Sequence, residues 1–190
     1  MKTKHFLFAI MLAAIPFLFL TQSCDKAKDA TKFDVSMDLP DHYFVLDSNI
    51  VKSSASIKEE TMLTQQAISI NIDSVFSANG LSSASLSNAG FTHITVLMDN
   101  PLPGANFDFM SGMRVVLSET ADSEETQIAV AENIPAGSTE VTFTLDNSAI
   151  QSFIDNHNFY LRLYGQMGPL PWPMLPLILQ SGIEFTVNPL

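Results

Sequence analysis

The chain contains few of the residues on which most catalytic and metal sites depend. It has one cysteine and four histidines in 190 residues. It lacks a His-x-x-x-His pair, a Gly-x-Ser-x-Gly sequence, a phosphate-binding glycine loop and a Rossmann glycine set. The adjacent carboxylates of Glu59–Glu60 and of Glu124–Glu125 point to opposite faces of an extended chain, so neither pair suits glycoside cleavage. We therefore predict that the protein is not an enzyme.

Basic residues are also scarce. Nine lysines and arginines stand against 20 acidic residues, for a net charge of −11. Residues 1–23 contain Lys2 and Lys4 and no acid, so the remainder carries 7 basic and 20 acidic residues, a charge of −13 (7 − 20). Such a surface repels phosphate backbones, which argues against nucleic acid as a partner.

The first 24 residues have the layout of a secretory signal peptide. Lys2 and Lys4 precede an apolar run over residues 6–20, which is shorter than the ~20 residues that span a bilayer. No second long apolar run follows, so nothing else is expected to cross a membrane. The prediction is a signal peptide over 1–23 and a flexible, charged tether over 24–31.

The residues before the cysteine resemble the bacterial lipobox. Ser23 is the small residue that precedes Cys24, and Thr21 occupies a place where leucine is usual, a form common in the Bacteroidetes. The resemblance implies a diacylglyceryl group on the Cys24 sulfur and an anchor in the outer membrane, facing the periplasm or the cell surface. A lone cysteine has no disulfide partner in an oxidising compartment, which favours lipidation. Ordinary secretion with cleavage near Ser23 remains the alternative.

Residues 32–190 are predicted to form one all-β domain, an antiparallel, immunoglobulin-like β-sandwich with one or two short helices. Asp73 is expected to cap a helix over 74–79 that Gly80 ends, and Asp146 or Asn147 a second helix through Ile154. Alternation of apolar and polar residues predicts strands at 33–39, 50–57, 67–72, 91–98, 113–117, 126–131, 140–145, 159–164 and 178–187.

Several stretches of the mature chain resemble a recurring β-sandwich domain of Bacteroidetes lipoproteins. The resemblance implies the fold and the outer-membrane location, and no biochemical role. The stretches are INIDSVFSANG, FTHITVLMDNPLPGANFDFMSGMRVVLSE, TQIAVAENIP and DNSAIQSFIDNHNFYLRLYG.

Two weak motifs suggest a bound ion and a modification. The acidic loop over 118–125 is a candidate calcium site, with a solvated turn as the alternative; its acidic residues are Glu119, Asp122, Glu124 and Glu125. Asp73-Ser74-Val75 resembles a Bacteroidetes O-glycosylation sequon, which implies a sugar on Ser74 unless Asp73 is a buried cap. His93 is expected to face the same side as Phe91 and Thr95 and to be a packed or partly exposed strand residue.

The proline-rich loop around Trp172 is the candidate contact surface. Prolines that include Pro171 and Pro173 stiffen it and disfavour sheet pairing through residue 176. With Tyr164, the tryptophan would form a stacking platform; alternatively, it closes the end of the core. We expect a non-enzymatic, membrane-anchored lipoprotein for surface binding or assembly. The alternatives are a carbohydrate-binding accessory protein and an envelope structural subunit that pairs through an edge strand.

Overall fold

A computed structural model describes residues 32–48 and 60–190. Within these ranges the chain forms two antiparallel sheets and two short helices, so the predicted all-β sandwich class is confirmed. Cys24, the tether over 24–31 and the strand predicted at 50–57 lie outside the described residues.

The described residues form ten strands and two helices. The helices are α1 (Ile72–Ala78) and α2 (Ile150–Asp155). The strands are β1 (Phe33–Asp38), β2 (His42–Asp47), β3 (Glu60–Ser69), β4 (Ala84–Met98), β5 (Met110–Ser118), β6 (Thr126–Ala131), β7 (Glu140–Thr142), β8 (Thr144–Leu145), β9 (Asn158–Met167) and β10 (Met174–Pro189).

The C-terminal strand β10 lies in the middle of its sheet. Sheet A has the order β1-β10-β4-β7, and β2 pairs with the first part of β10 on the same side as β1. Sheet B has the order β3-β9-β5-β6-β8. We call the end where β1 begins and β10 finishes the near end, and the opposite end, which holds loops 99–109, 132–139 and 168–173, the far end.

One hydrophobic core lies between the sheets. In β9, Phe159, Leu161 and Leu163 are at most 1% exposed, which is the period of two that a half-buried strand requires. Leu177 and Phe185 of β10 face them from sheet A and belong to the same cluster of buried side chains. Burial of these residues is the main source of stability for a fold that has no disulfide in its described part.

The strand predicted over 140–145 is divided between the two sheets. β7 pairs with β4 in sheet A, whereas β8 pairs with β6 in sheet B. Between them, Phe143 is 6% exposed, and its N–H donates to Ile94 O at 3.2 Å. The sequence pattern did not show this crossing, because the buried ring keeps the alternation intact while the backbone changes sheets.

His93 is the partly exposed strand residue that was predicted, but a β-bulge places it on the opposite side from Phe91. Gly182 is paired with His93, but the next residue, Ile183, is paired with Phe91, so Thr92 is an extra residue in β4. Phe91 points into the core, whereas His93 is half-buried beside Thr92, with its Nδ1 3.1 Å from Thr92 Oγ1. A Cβ on Gly182 would lie 2.7 Å from atoms of both side chains, so a larger residue here would force one of them to move.

Both predicted helix caps are wrong. Asn71 is the cap of α1, and its Oδ1 accepts from Ser74 N at 3.0 Å, so Asp73 lies in the first turn instead. Ala149 precedes α2 and makes no side-chain cap bond. Asp146 accepts a hydrogen bond from Ser148 N at 3.0 Å, a local turn that competes with capping and lowers the pKa of the Asp146 carboxyl.

The side chain of Asn147 instead forms hydrogen bonds with the backbone at the edge of β4. Its Oδ1 accepts from Phe91 N at 3.0 Å and its Nδ2 donates to Phe91 O at 3.1 Å. Gln151 acts similarly, with its Oε1 accepting from Ala89 N at 3.1 Å. β7 pairs only with residues 95–97 of β4, so these amides satisfy backbone groups beyond that short strand. A Cβ at Gly90 would lie 2.7 Å from the Asn147 amide, which explains the glycine.

β2 is a strand that the alternation of apolar and polar residues did not predict. Pro40 and Asp41 indicated a turn, and the next predicted strand began only at residue 50. β2 nevertheless pairs with β10 over six residues and buries Leu46 at 3% exposure. Strand ends also differ, because β3 ends at Ser69 while Ile70 and Ile72 are buried without strand pairing.

Candidate functional site

Trp172 is held at the far end by an aromatic partner. The ring is half-buried and meets Phe109 edge-on, with centroids 6.2 Å apart and planes at 74°. Both rings pack on the core cluster. Trp172 is thus neither fully exposed, as a stacking platform would be, nor fully buried, as a side chain that closes the end of the core would be. The contact with Phe109 fixes the orientation of its ring.

Backbone hydrogen bonds connect the far-end loops to one another. Such bonds hold loops in one conformation and reduce the entropy that a partner must remove on binding. They are Gly168 N to Phe109 O at 2.8 Å, Phe107 N to Ser138 O at 2.8 Å, Asp99 N to Pro176 O at 3.0 Å and Ser48 N to Pro173 O at 3.1 Å.

The proline-rich segment is shorter than predicted. Pro171 and Pro173 are exposed in the loop, but β10 begins at Met174, so Pro176 lies within a strand. Pro176 tolerates this place because β4 ends at Met98, and Pro176 O accepts from Asp99 N just beyond that end. The N–H that proline lacks would face a residue beyond the end of β4. No carbonyl within β4 therefore loses a hydrogen-bond donor.

Exposed apolar side chains collect at and beside the far end. Leu102 is 57% exposed in the loop after β4, and Met174 is 58% exposed at the start of β10. Tyr43, 63% exposed, and Val45, 43% exposed, lie on β2 next to this part of β10. These side chains make this surface the candidate contact site of the described residues.

Tyr164 and Trp172 make separate contacts. Tyr164 lies on the outer face of sheet B, where the Arg114 guanidinium covers its ring with Cζ 4.3 Å from the centroid. Its hydroxyl donates to Glu125 Oε1 at 2.5 Å. One face of the Tyr164 ring is thus occupied by a cation, and the contacts of the two rings do not form a shared platform.

Both arginines of the chain lie together on that outer face. Arg162 is 5% exposed and donates to Glu125 Oε1 at 2.6 Å, to Gln65 Oε1 at 2.7 Å and to the carbonyls of Thr120 and Ala121. Arg114 donates from Nε and Nη2 to the two carboxylate oxygens of Glu60, each at 2.7 Å. We call Glu60, Arg114, Glu125, Arg162 and Tyr164 the arginine cluster.

Charge and burial shift the pKa values within the arginine cluster. Partial burial raises the pKa of Glu125, but the hydrogen bonds from Tyr164 and Arg162 and the charges of both arginines outweigh it, so the pKa lies below its ordinary value. The hydrogen bond to Glu60 is the main cause that raises the pKa of Arg114. Partial burial, followed by the hydrogen bond to Glu125, raises the pKa of Tyr164.

Little in the sequence predicted the arginine cluster. Its two arginines occupy polar positions of two predicted strands, and they are the only arginines in the chain. Their register opposite Tyr164 and Val116, and the return of the acidic loop over sheet B, depend on pairing between distant segments. The only feature of the sequence that could have predicted the cluster was the location of both arginines in predicted strands.

The acidic loop does not gather its carboxylates. Glu125 belongs to the arginine cluster, where it accepts from Arg162, and Glu119 accepts from Asn156 Nδ2 at 3.1 Å. Asp122 and Glu124 are exposed. Over residues 32–48 and 60–190, no group of three or more histidine, cysteine or acidic side chains is arranged to hold a metal ion.

Ser74 is exposed in the first turn of α1, and its hydroxyl donates to Asn71 O at 2.8 Å. Asp73 is also exposed, so it is not the buried cap that would have closed the predicted glycosylation site.

The histidines of the described chain lie apart. His42 Nε2 is 2.7 Å from Thr64 Oγ1, and the ring stacks on Phe44 at 6.1 Å; burial lowers the pKa of His42. His93 lies on β4, and His157 has a left-handed backbone with φ +61° after α2.

In comparisons with known proteins, no protein-family model and no curated protein matches this chain. The resemblance to the Bacteroidetes lipoprotein domain therefore stays a prediction. Within the described residues, no helix is long and apolar enough to cross a membrane.

Proposed function

We propose that this protein is an outer-membrane lipoprotein, anchored through Cys24, that uses its far end for binding or assembly at the cell surface and catalyses no reaction. The anchor is supported by the lipobox-like residues before the only cysteine. The absence of a catalytic motif and the separate positions of His42, His93 and His157 support a non-enzymatic role.

The observation that carries the binding role is the apolar far end. Exposed Leu102 and Met174 flank loops that are fixed by hydrogen bonds and by the contact between Trp172 and Phe109. A fixed apolar surface binds with little loss of conformational entropy.

The position of the near end supports the same role. Cys24 precedes Phe33 by nine residues (33 − 24), which span roughly 30 Å at full extension. Phe33 lies opposite Val187 at the near end, so the near end would stay close to the membrane and the far end would point away from it.

Replacement of the thiol tests the anchor. In Cys24→Ser we expect loss of incorporated radiolabelled palmitate and release of the protein from the membrane pellet into the soluble fraction. Thr21→Leu, which restores the usual lipobox residue, is the control and should stay in the membrane. A Cys24→Ser protein that remains in the membrane with bound lipid would exclude the proposed anchor.

Labelling of intact cells tests the orientation. Leu102→Cys at the far end should react with a membrane-impermeant maleimide of high mass, because lipidation leaves this as the only free thiol. The matched control is Ser77→Cys, an exposed position of α1 at the near end, which should react more slowly. Equal rates at the two positions would contradict outward presentation of the far end.

Glycan binding at Trp172 is the second candidate, because its ring is half-exposed and fixed in orientation. On a glycan array, Trp172→Ala should abolish a signal that the wild type gives. Phe109→Leu, which removes the supporting ring, should weaken it. The absence of any glycan signal for the folded wild type would exclude this candidate.

A further inference from the structure

A groove crosses the outer face of sheet B beside the far end. Gln166 of β9 is paired with Glu60 of β3 on one side and with Gly112 of β5 on the other. In the next row, Arg114 of β5 is paired with Val130 of β6. The groove has a volume of about 410 Å³, within the ~300–1,000 Å³ that is usual for small-ligand sites. We call it the sheet B groove, and the residues of its lining that carry the inference are Glu60, Gly112, Arg114, Gln127, Glu132 and Gln166.

The floor of the sheet B groove is a glycine that the backbone does not require. Gly112 does not have a positive φ, the conformation that favours glycine. A Cβ on it would approach only Ala131 O, at 3.4 Å, which is an ordinary van der Waals distance. By contrast, a Cβ on Gly165 of the neighbouring strand would lie 2.6 Å from Met110 Cε. The consequence of glycine at position 112 is therefore the open space above it, which a side chain would fill.

The sheet B groove offers hydrogen-bonding groups that the protein itself does not use. Arg114 donates from Nε and Nη2 to Glu60, and its Nη1 lies 3.9 Å from Glu125 Oε2, too far for a hydrogen bond. Several N–H groups of the guanidinium thus remain available. The lining side chains that are exposed and form no hydrogen bond with another described residue are those of Gln127, Glu132 and Gln166. Together these groups supply both donors and acceptors.

The main donor is held in place before any ligand binds. Both bonds from Arg114 to Glu60 are 2.7 Å long, and the guanidinium covers the Tyr164 ring with Cζ 4.3 Å from its centroid. A group that is already fixed loses little conformational entropy when a ligand binds to it.

The charges of the sheet B groove nearly cancel. Arg114 neutralises Glu60, so Glu132 leaves the lining with a sum of −1 (1 − 2). That carboxylate would repel an anion, and a cation would gain little from a single exposed carboxylate. A sugar hydroxyl both donates and accepts hydrogen bonds without carrying a charge, which matches the groups present. Val130, half-buried beside Arg114, adds an apolar patch on which the C–H face of a sugar ring can pack.

We propose that the sheet B groove binds a neutral oligosaccharide. One sugar ring would lie over Gly112, with its hydroxyls bonded to Arg114 and Gln166. The oligosaccharide would continue toward Glu132, in the far-end loop 132–139. This site is separate from the contact surface around Trp172, so the inference goes beyond the function proposed above.

A glycan array probed with the purified full chain tests the ligand class. We expect signals from neutral glycans that do not require a uronic acid, a sulfate or an amine. For the neutral glycan with the strongest signal, the Kd from isothermal titration calorimetry should change by less than about twofold between about 0.05 and about 0.5 M NaCl, because salt does not screen a neutral ligand. An array without signals, or with signals that require a charged group, would overturn the inference.

Two substitutions locate the site. Gly112→Leu fills the floor of the groove, and Gln166→Ala removes an amide from its wall while it keeps the backbone carbonyl that accepts from Ser111 Oγ. Each should weaken binding of that glycan at least about tenfold, with an unchanged circular dichroism spectrum. Ala67→Leu is the matched control, because Ala67 is exposed on the same face opposite Tyr160, away from the groove. It should retain binding within about twofold.

Glu132→Gln distinguishes recognition of hydroxyls from recognition of charge. It removes the carboxylate charge and keeps an acceptor oxygen, so binding should stay within about threefold of the wild type. A loss of tenfold or more would contradict a neutral ligand.

The results also separate this inference from the function proposed above. Trp172→Ala should retain binding at the groove. Loss of binding in Trp172→Ala together with unchanged binding in Gly112→Leu would overturn the inference and favour the site at Trp172. None of these outcomes alters the Cys24→Ser fractionation or the labelling at Leu102.

Discussion

The outer faces of the two sheets differ in the side chains that they expose to solvent. On sheet B, the arginine cluster pairs its charges and holds the acidic loop against the strands, and Val116 beneath is fully buried. On sheet A beside β2, apolar side chains remain exposed and the strand edge has no partner among the described residues. Sheet B thus covers its outer face with paired charges, whereas sheet A leaves apolar side chains of β2 and β10 exposed.

Of the substitutions considered, replacement of Arg162 should lower the free energy of unfolding most. Arg162→Met leaves the Glu125 carboxylate and two carbonyls without their buried donor, and we expect a loss of about 3 kcal/mol in the free energy of unfolding. Urea denaturation measures it. Arg114→Met is the control, because Arg114 is more exposed and its loss should cost at most about 1 kcal/mol. Equal losses would mean that burial of Arg162 is not what stabilises the outer face of sheet B.

Glu125→Gln tests how much the charge of Glu125 contributes to the stability of the outer face of sheet B. At neutral pH, loss of its charged hydrogen bonds should cost about 2 kcal/mol. The lowered native pKa of Glu125 means that its contribution is complete above the unfolded value of about 4.3 and is lost as pH falls through the native pKa. Unfolding free energies of wild type and variant should therefore converge in acid. A difference that stays constant down to the native pKa would contradict the charge-based account.

Ser118→Ala should have a smaller effect of opposite sign. Ser118 is fully buried on β5, and its hydroxyl has no hydrogen-bond partner within the described part of the chain. Replacement by alanine removes an unsatisfied polar group, so we expect a gain of about 1 kcal/mol, measured as a raised Tm. Ser118→Thr adds a methyl group and retains the hydroxyl, so it should give no gain. Destabilisation by Ser118→Ala would reveal a partner such as a buried water.

Substitution of Tyr43 should affect stability least. Tyr43 is 63% exposed, so Tyr43→Ser should change the free energy of unfolding by no more than about 0.5 kcal/mol. The measurement is urea denaturation alongside Leu46→Ala, an inward-facing residue of the same strand that is 3% exposed and should cost at least about 2 kcal/mol. A large loss for Tyr43→Ser would show that this face of sheet A is covered.

Local patterns predicted the strands well and their connections poorly. β6 has the predicted bounds, and β9 shows the expected alternation from Phe159 onward. Both were predictable because burial of one face of a strand determines the types of residues that are adjacent in sequence. The bulge at Thr92, the role of Asn147 and the change of sheet at Phe143 depend on residues far away in the chain. A short segment does not contain that information.

The same distinction applies to the candidate site. The apolar, proline-rich segment around Trp172 was identified from sequence, but its contact with Phe109 and the start of β10 at Met174 were not. Asn147 has the same side-chain groups whether it caps a helix or binds a strand, and only tertiary packing decides between these uses. The arginine cluster combines three strands and a loop, so no single motif describes it.

The central position of β10 determines when the protein can fold. β1, β2 and β4 all pair with a strand that follows every other described strand in the sequence. Without residues 174–189, β1 and β2 lack the strand they pair with and β4 lacks its partner on one side, and such open edges are potential starting points for aggregation. Sheet A is therefore complete only once residues 174–189 are available to pair with all three strands.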